Sequence, residues 1–252
     1  MTGIAPIKRR WSISAARAYW ACPHQWWLTR VAHVPRTTTE YSFRGQLMHA
    51  GLAAGWVALH RNLGNATAMF SGEGALIDAM HTEAEHLEVP CPDEAIDTAW
   101  RALKHLGPRI GDELLGAERD LDLRIDGVPI GYRADLIYRR KGMLTLRDWK
   151  STSKLPKAAD LPQDDQLALG ALAVARTYAA PAVRIEFASI NAAAVRGGPI
   201  SADRARQAGQ AVAETAIEAE ADIEHKPTPG SACHTCPVVA SCFVHNPGVT
   251  VR

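Results

Sequence analysis

The chain changes its hydrophobic period twice, and the changes divide it. From Ser12 to about Ala32, "SISAARAYWACPHQWWLTRVA" carries aromatic and aliphatic residues at helical spacing. It opens on serines suited to capping and breaks at Pro23, which predicts two short helices joined near Cys22. "FRGQLMHAGLAAGWVALHR" (43–61) is apolar along one helical face, with His49 inside it. Residues 73–88 and 93–106 predict two further helices, parted by "VPCP" and closed by Gly107-Pro108. Between Glu118 and Ser151 apolar and polar residues alternate instead. Asp126-Gly127 and Lys141-Gly142 fall where hairpins would turn, so this segment predicts three antiparallel strands. After Pro156 and Pro162, "QDDQLALGALAVARTYAA" predicts an apolar helix, "VRIEFASINAA" a fourth strand, and a charged, alanine-rich stretch from about 201 to 225 a last helix. The tail "HKPTPGSACHTCPVVASCFVHNPG" has too little apolar content to hold itself together, which a bound metal would remedy.

Within the alternating segment one juxtaposition carries chemistry. Asp148 and Lys150 stand two residues apart at the end of one strand, so both side chains leave the same face. Asp135 lies in the middle of the apolar strand before it, where an unpaired charge is expensive. A lone D-x-K tripeptide is most often a solvated feature of an edge hairpin; the placement of Asp135 argues against that here. Two converging carboxylates suit Mg²⁺ or Mn²⁺, and a neighbouring lysine suits a metal-bound water or a charged phosphate. That combination describes metal-dependent phosphodiester hydrolysis.

Composition narrows the setting. The 252 residues carry 28 Lys plus Arg against 27 Asp plus Glu, so no global field recruits a polyanion and any nucleic-acid contact must use local patches. No stretch has the apolar length of a membrane span and "MTGIAPIKRRW" lacks the core of a signal peptide, which predicts a cytoplasmic protein with no membrane partner. Five cysteines without an export signal point to metal or redox chemistry rather than disulfides.

The order "GYRADLIY", turn, "LTLRDWKST" resembles the core signature of the PD-(D/E)XK nuclease superfamily in its RecB-like branch. "GQLMHAGL" resembles that branch's upstream helix with a metal-binding histidine, and "DQLALGA" the following helix with a glutamine near the active site. The resemblance implies an α/β fold, a central mixed sheet flanked by helices. It implies metal ligation by His49, Asp135, Asp148 and the main-chain carbonyl of Trp149, with Glu118 a weaker candidate. Lys150 would act on the water or phosphate and Gln166 would support the site. The family usually has a tyrosine four residues after that glutamine; here Gly170 takes the place, with Tyr178 further along. The implied activity is DNA cleavage, exonucleolytic on single-stranded ends, in recombination, repair or CRISPR spacer acquisition, with protein partners from such a complex.

Cys233, Cys236 and Cys242 supply three thiols, and a four-thiolate site needs one more from Cys22 or Cys91. "SISAARAYWACPHQWWL" resembles the opening of RecB-like nucleases that carry an iron-sulfur cluster, including the CRISPR-associated adaptation nucleases and the nuclease domain of AddB. That pattern implies a 4Fe-4S cluster on Cys22, Cys233, Cys236 and Cys242, in a lobe built from both termini, and leaves Cys91 a free thiol. Zinc suits four cysteines equally by spacing, and His234 and His245 lie nearby. The expected division is 1–35 for the first part of the lobe, 36–225 for the nuclease core with a helical insertion at 62–108, and 226–252 for the cluster-binding tail. Arg139, Arg140, Lys141, Lys154 and Lys157 are candidate phosphate contacts. Trp20, Trp26 and Trp27 are expected mainly to pack the helical lobe. Two rivals stand beside this reading: a nuclease-fold subunit that binds DNA ends without cutting, and a zinc-stapled DNA-binding module with incidental acids.

Overall fold

The computed structural model describes residues 7–37 and 39–248, which gather into two compact units. No helix among the described residues is long and apolar enough to cross a membrane.

The larger unit takes residues 39–121 and 133–206. Counting helices along the whole chain, it holds α3 (Glu40–Arg61), α4 (Ala68–His86), α5 (Asp93–Leu106) and α6 (Asp165–Thr177). Thr39 caps α3 by accepting from the Ser42 N–H at 3.2 Å. Glycines let the helices meet closely: a Cβ on Gly55 would lie 2.5 Å from Leu103, and one on Gly72 would collide with Leu59. Leu52, Trp56, Leu76, Met80 and Leu103 fill the contact and join Tyr138 and Trp149 from the sheet in one core.

The sheet has five strands in the order β1 (Glu113–Ile125), β2 (Val128–Arg140), β3 (Met143–Lys150), β4 (Arg184–Ser189), β5 (Ala194–Pro199). β2 and β3 are antiparallel, with Leu136 opposite Arg147, so Asp135 and Asp148 fall next to each other where the ladder ends. α6 connects β3 to β4 as a crossover between parallel strands, which makes the sheet mixed. β5, antiparallel to β4, was not expected from the sequence. "AVRGGP" has neither β-branched alternation nor a buried face, and as an edge strand it tolerates the Gly-Gly-Pro that argues against a central one.

Period two splits β3. Asp148 and Lys150 face α6, whereas Arg147 and Trp149 enter the core behind. Arg147 lies 2.7 Å from Glu186 of β4 and donates to the Tyr138 hydroxyl at 3.0 Å; that hydroxyl donates to Glu186 at 2.9 Å. Burial pushes the Glu186 carboxyl up, but Arg147 and the two hydrogen bonds outweigh it and hold the pKa below the ordinary value. The triad ties three strands together directly behind the Asp148 face.

The smaller unit takes the described residues of 7–37, then 122–132 and 207–248. α1 (Ile13–Ala21) and α2 (Pro23–Arg30) meet at Cys22, as the Cys-Pro break predicts. Trp11 stacks on Trp26 with ring centroids 5.2 Å apart, and its main chain pairs with that of Pro129 and Gly131. Tyr19 and Trp20 donate to Asp222 and Thr215 at 3.1 and 2.8 Å, which fixes the later part of α7 (Ala202–Ala221). α7 stops short of residue 225 because Asp222 accepts from the N–H groups of Glu224 and His225 and turns the chain.

Candidate metal centre and active site

Three elements bring the expected site residues together. His49 projects from α3, Glu118 from β1 and Asp135 from β2, and one ligand atom of each lies within 4.8 Å of the others. His49 Nδ1 is 3.5 Å from Asp135 Oδ2 and 3.9 Å from Glu118 Oε1. The Trp149 N–H donates to Asp135 Oδ2 at 2.7 Å, fixing that carboxylate against the D-x-K strand. Asp148 and Lys150 point the same way, as alternation requires, with Lys150 Nζ 2.8 Å from Asp148 Oδ2. Gln166, set in the first turn of α6 by the Asp164 cap, closes the group. Its Nε2 donates to Asp148 Oδ1 at 2.8 Å and its Oε1 accepts from Lys150 at 3.2 Å.

Glu118 reaches the cluster through an irregular backbone. Its φ of 47° is left-handed in the middle of β1, which costs a non-glycine residue about 1–2 kcal/mol. That turn out of the strand ladder aims the side chain at His49 and Asp135 rather than along the normal pleat.

The electrostatics call for a cation. Asp148 is buried, and burial together with the Asp135 charge raises its pKa to about 7 despite Lys150. Burial likewise raises Glu118 above the usual carboxylate range, against the opposing hydrogen bond from Arg133. Burial favours the neutral ring of His49, but Asp135, Glu118 and Asp148 outweigh it and lift its pKa. Two carboxylate oxygens, Glu118 Oε1 and Asp148 Oδ2, are buried without a hydrogen bond, the latter touching Lys150 outside hydrogen-bond geometry. A hard divalent ion taking oxygen and imidazole donors satisfies this set. The residues present fit the metal.

Sequence reasoning missed several walls of this cleft: Ser42, Gly45, Gln46, Glu83 and Arg133 line it beside His49, Glu118 and Asp135. Arg133 was legible in principle, since it precedes Asp135 by two and shares its face. Of the expected phosphate contacts, Arg140 forms a two-pronged pair with Asp112 and Arg139 pairs with Glu113. Tyr178 ends α6 and bonds to Arg119 and to the Leu115 carbonyl, while Gly170 is buried.

In the smaller unit Cys22, Cys233, Cys236 and Cys242 line one pocket with His24 and His245. Cys91, in the larger unit, is remote from it in the chain and packs against the helical core. Burial raises the Cys236 thiol, the Val238 N–H lowers it, and Cys22, Cys233 and Cys242 act on it as charges. The Thr228 N–H donates to Cys22 Sγ at 3.4 Å. Among the described residues no three of these sulfurs lie mutually within 4.8 Å.

A mixed sheet that carries Asp, Asp-x-Lys and a helix-borne His at one end defines a metal-dependent phosphodiesterase class of site. The sequence profile of the PD-(D/E)XK nuclease superfamily matches residues 10–243, and the chain belongs to that superfamily. Its members typically use divalent metals, in keeping with the cleft. No curated protein matches the chain. A similar solved structure is titled "Crystal structure of SSO0001", at 16% identity over 78% of this chain and 85% of that one, with a TM-score of 0.36.

Proposed function

We propose that the protein is a Mg²⁺- or Mn²⁺-dependent DNA exonuclease acting on single-stranded ends, and that Cys22, Cys233, Cys236 and Cys242 hold a 4Fe-4S cluster. The observation that carries the nuclease part is the convergence of His49, Glu118 and Asp135 beside the Asp148–Lys150–Gln166 group. His49, Glu118, Asp135, Asp148 and the Trp149 carbonyl would hold the ion, which when bound acidifies a water and neutralises phosphate charge. Lys150 orients the attacking water or stabilises charge on the pentavalent phosphate. Gln166 bonds both Lys150 and Asp148 and so fixes the ammonium relative to the carboxylate. Asp135, held by the Trp149 N–H, has one oxygen set before any substrate arrives.

For the cluster, the supporting observation is that all four cysteines line one pocket. A cubane takes one thiolate at each of its four irons, which matches the number of cysteines gathered there.

The test is cleavage of end-labelled single- and double-stranded DNA with Mg²⁺ or Mn²⁺, beside Lys150→Ala. Shortening from one end of single strands by the wild type alone supports the proposal. Absence of metal-dependent products, or equal products from Lys150→Ala, removes it. Metal analysis of the purified protein decides the cluster: iron with labile sulfide supports it, stoichiometric zinc overturns it.

A further inference from the structure

Arg133 occupies the metal cleft without a part in the scheme above. Its Nε donates to Glu118 Oε2 at 2.8 Å and its Nη1 lies 3.7 Å from Asp120 Oδ2, while its side chain remains 60% exposed. Glu118 therefore has two faces. Oε2 is held by the guanidinium at the solvent side, and Oε1 is buried without a hydrogen bond, facing His49 and Asp135. A divalent ion between His49 and Asp135 and a guanidinium on the same carboxylate are like charges in a half-buried site, where repulsion is poorly screened. They compete for Glu118. A phosphodiester offers Arg133 another planar, two-pronged acceptor, and its exposure leaves the side chain free to reach it.

We propose that Arg133 is a phosphate-binding residue that exchanges Glu118 for a phosphodiester of the bound strand, and that this exchange couples strand binding to metal loading at His49, Glu118 and Asp135. Without a strand, Arg133 restrains Glu118 and metal binding is weak. With one, Arg133 moves to the backbone and Glu118 turns its full charge on the ion. Linkage requires the reverse as well: the metal strengthens strand binding by the same factor. The choice of a DNA strand rests on the function proposed above; the exchange itself does not.

The experiment is a calorimetric titration of Mn²⁺ into the Lys150→Ala protein, which preserves the DNA, with and without a single-stranded oligothymidylate. The oligonucleotide should tighten Mn²⁺ binding by about tenfold, within the ordinary range for coupled sites. Arg133→Met should bind Mn²⁺ more tightly than its parent without DNA, lose the effect of the oligonucleotide, and bind that oligonucleotide more weakly. Arg133→Lys, which keeps the charge but not the fork, should fall between. Weaker Mn²⁺ binding by Arg133→Met, or coupling that survives it, overturns the proposal and leaves Arg133 as a prop for Glu118. Inorganic phosphate at the same concentration should leave the titration unchanged; equal tightening by phosphate would overturn the assignment to a strand. Coupling through Arg133 in a wild type that degrades no DNA keeps the exchange and removes the nuclease reading, whereas cleavage with no such coupling does the opposite.

Discussion

Asp148 sits buried between an acid and an ammonium, and its proton is worth following through folding. Below about pH 4 it is protonated in both folded and unfolded chains and costs nothing. As pH rises toward 7 the unfolded chain releases the proton while the folded one keeps it, so metal-free stability falls; above 7 the loss is complete. Asp148→Asn should therefore melt higher than wild type at pH 8 and close to it at pH 4, both without metal, as thermal denaturation followed by circular dichroism would show. An equal difference at both pH values would contradict the shift. Lys150→Ala, by contrast, should lower the cleavage rate by about 10²–10⁴-fold with the fold retained. At this scale the legible residues were those whose charge contradicts their pattern. Asp135 within an apolar strand and Asp148 two before Lys150 could be read from alternation alone, whereas His49 and Gln166 needed the resemblance. Glu83 was not legible, because a charge on a helix surface looks the same whether it borders a cleft or open water, and Arg133 could be placed beside the site only through its alternation with Asp135.

Helices and strands show a similar division. The Cys-Pro break, the Asp-Gly and Lys-Gly turns and the apolar runs produced the expected elements, since each is fixed by local backbone chemistry, although α4 and β1 begin at Ala68 and Glu113, each five residues before the expected start. β5 and the irregular backbone at Glu118 depend on tertiary neighbours and left no local signal. The close meeting of α3 and α4 is of that second kind. Alanine favours helix over glycine, yet Gly72→Ala should destabilise by about 1–3 kcal/mol, because its methyl would displace Leu59 in a filled core. Urea denaturation would measure this, and a stabilised variant would show that the helices can part freely. Glu186→Gln should cost about 3–5 kcal/mol by leaving Arg147 buried without its counter-charge, and would loosen the strand that carries Asp148.

On the scale of the whole chain, the larger unit holds all the candidate hydrolytic residues and the smaller one all four clustered cysteines. Cys233→Ser should bleach any brown colour and lower the melting temperature, both read on one preparation; a colourless wild type with no iron would contradict the cluster. The two sides of this pocket are built differently. Cys22 ends one helix and opens the next, with Pro23 fixing the corner and Trp26 buried behind it, so its thiol is placed by the fold alone. Cys233, Cys236 and Cys242 lie in short 3-10 turns and loops with little apolar support. If these cysteines hold the proposed cluster, its assembly would proceed from an anchored first ligand to three that are gathered by the metal. A chain synthesised under iron starvation would carry a finished corner and a loose end. A protease would read that difference, cutting the last segment of the apo chain and sparing the holo one, so that iron supply would set how long the enzyme lasts.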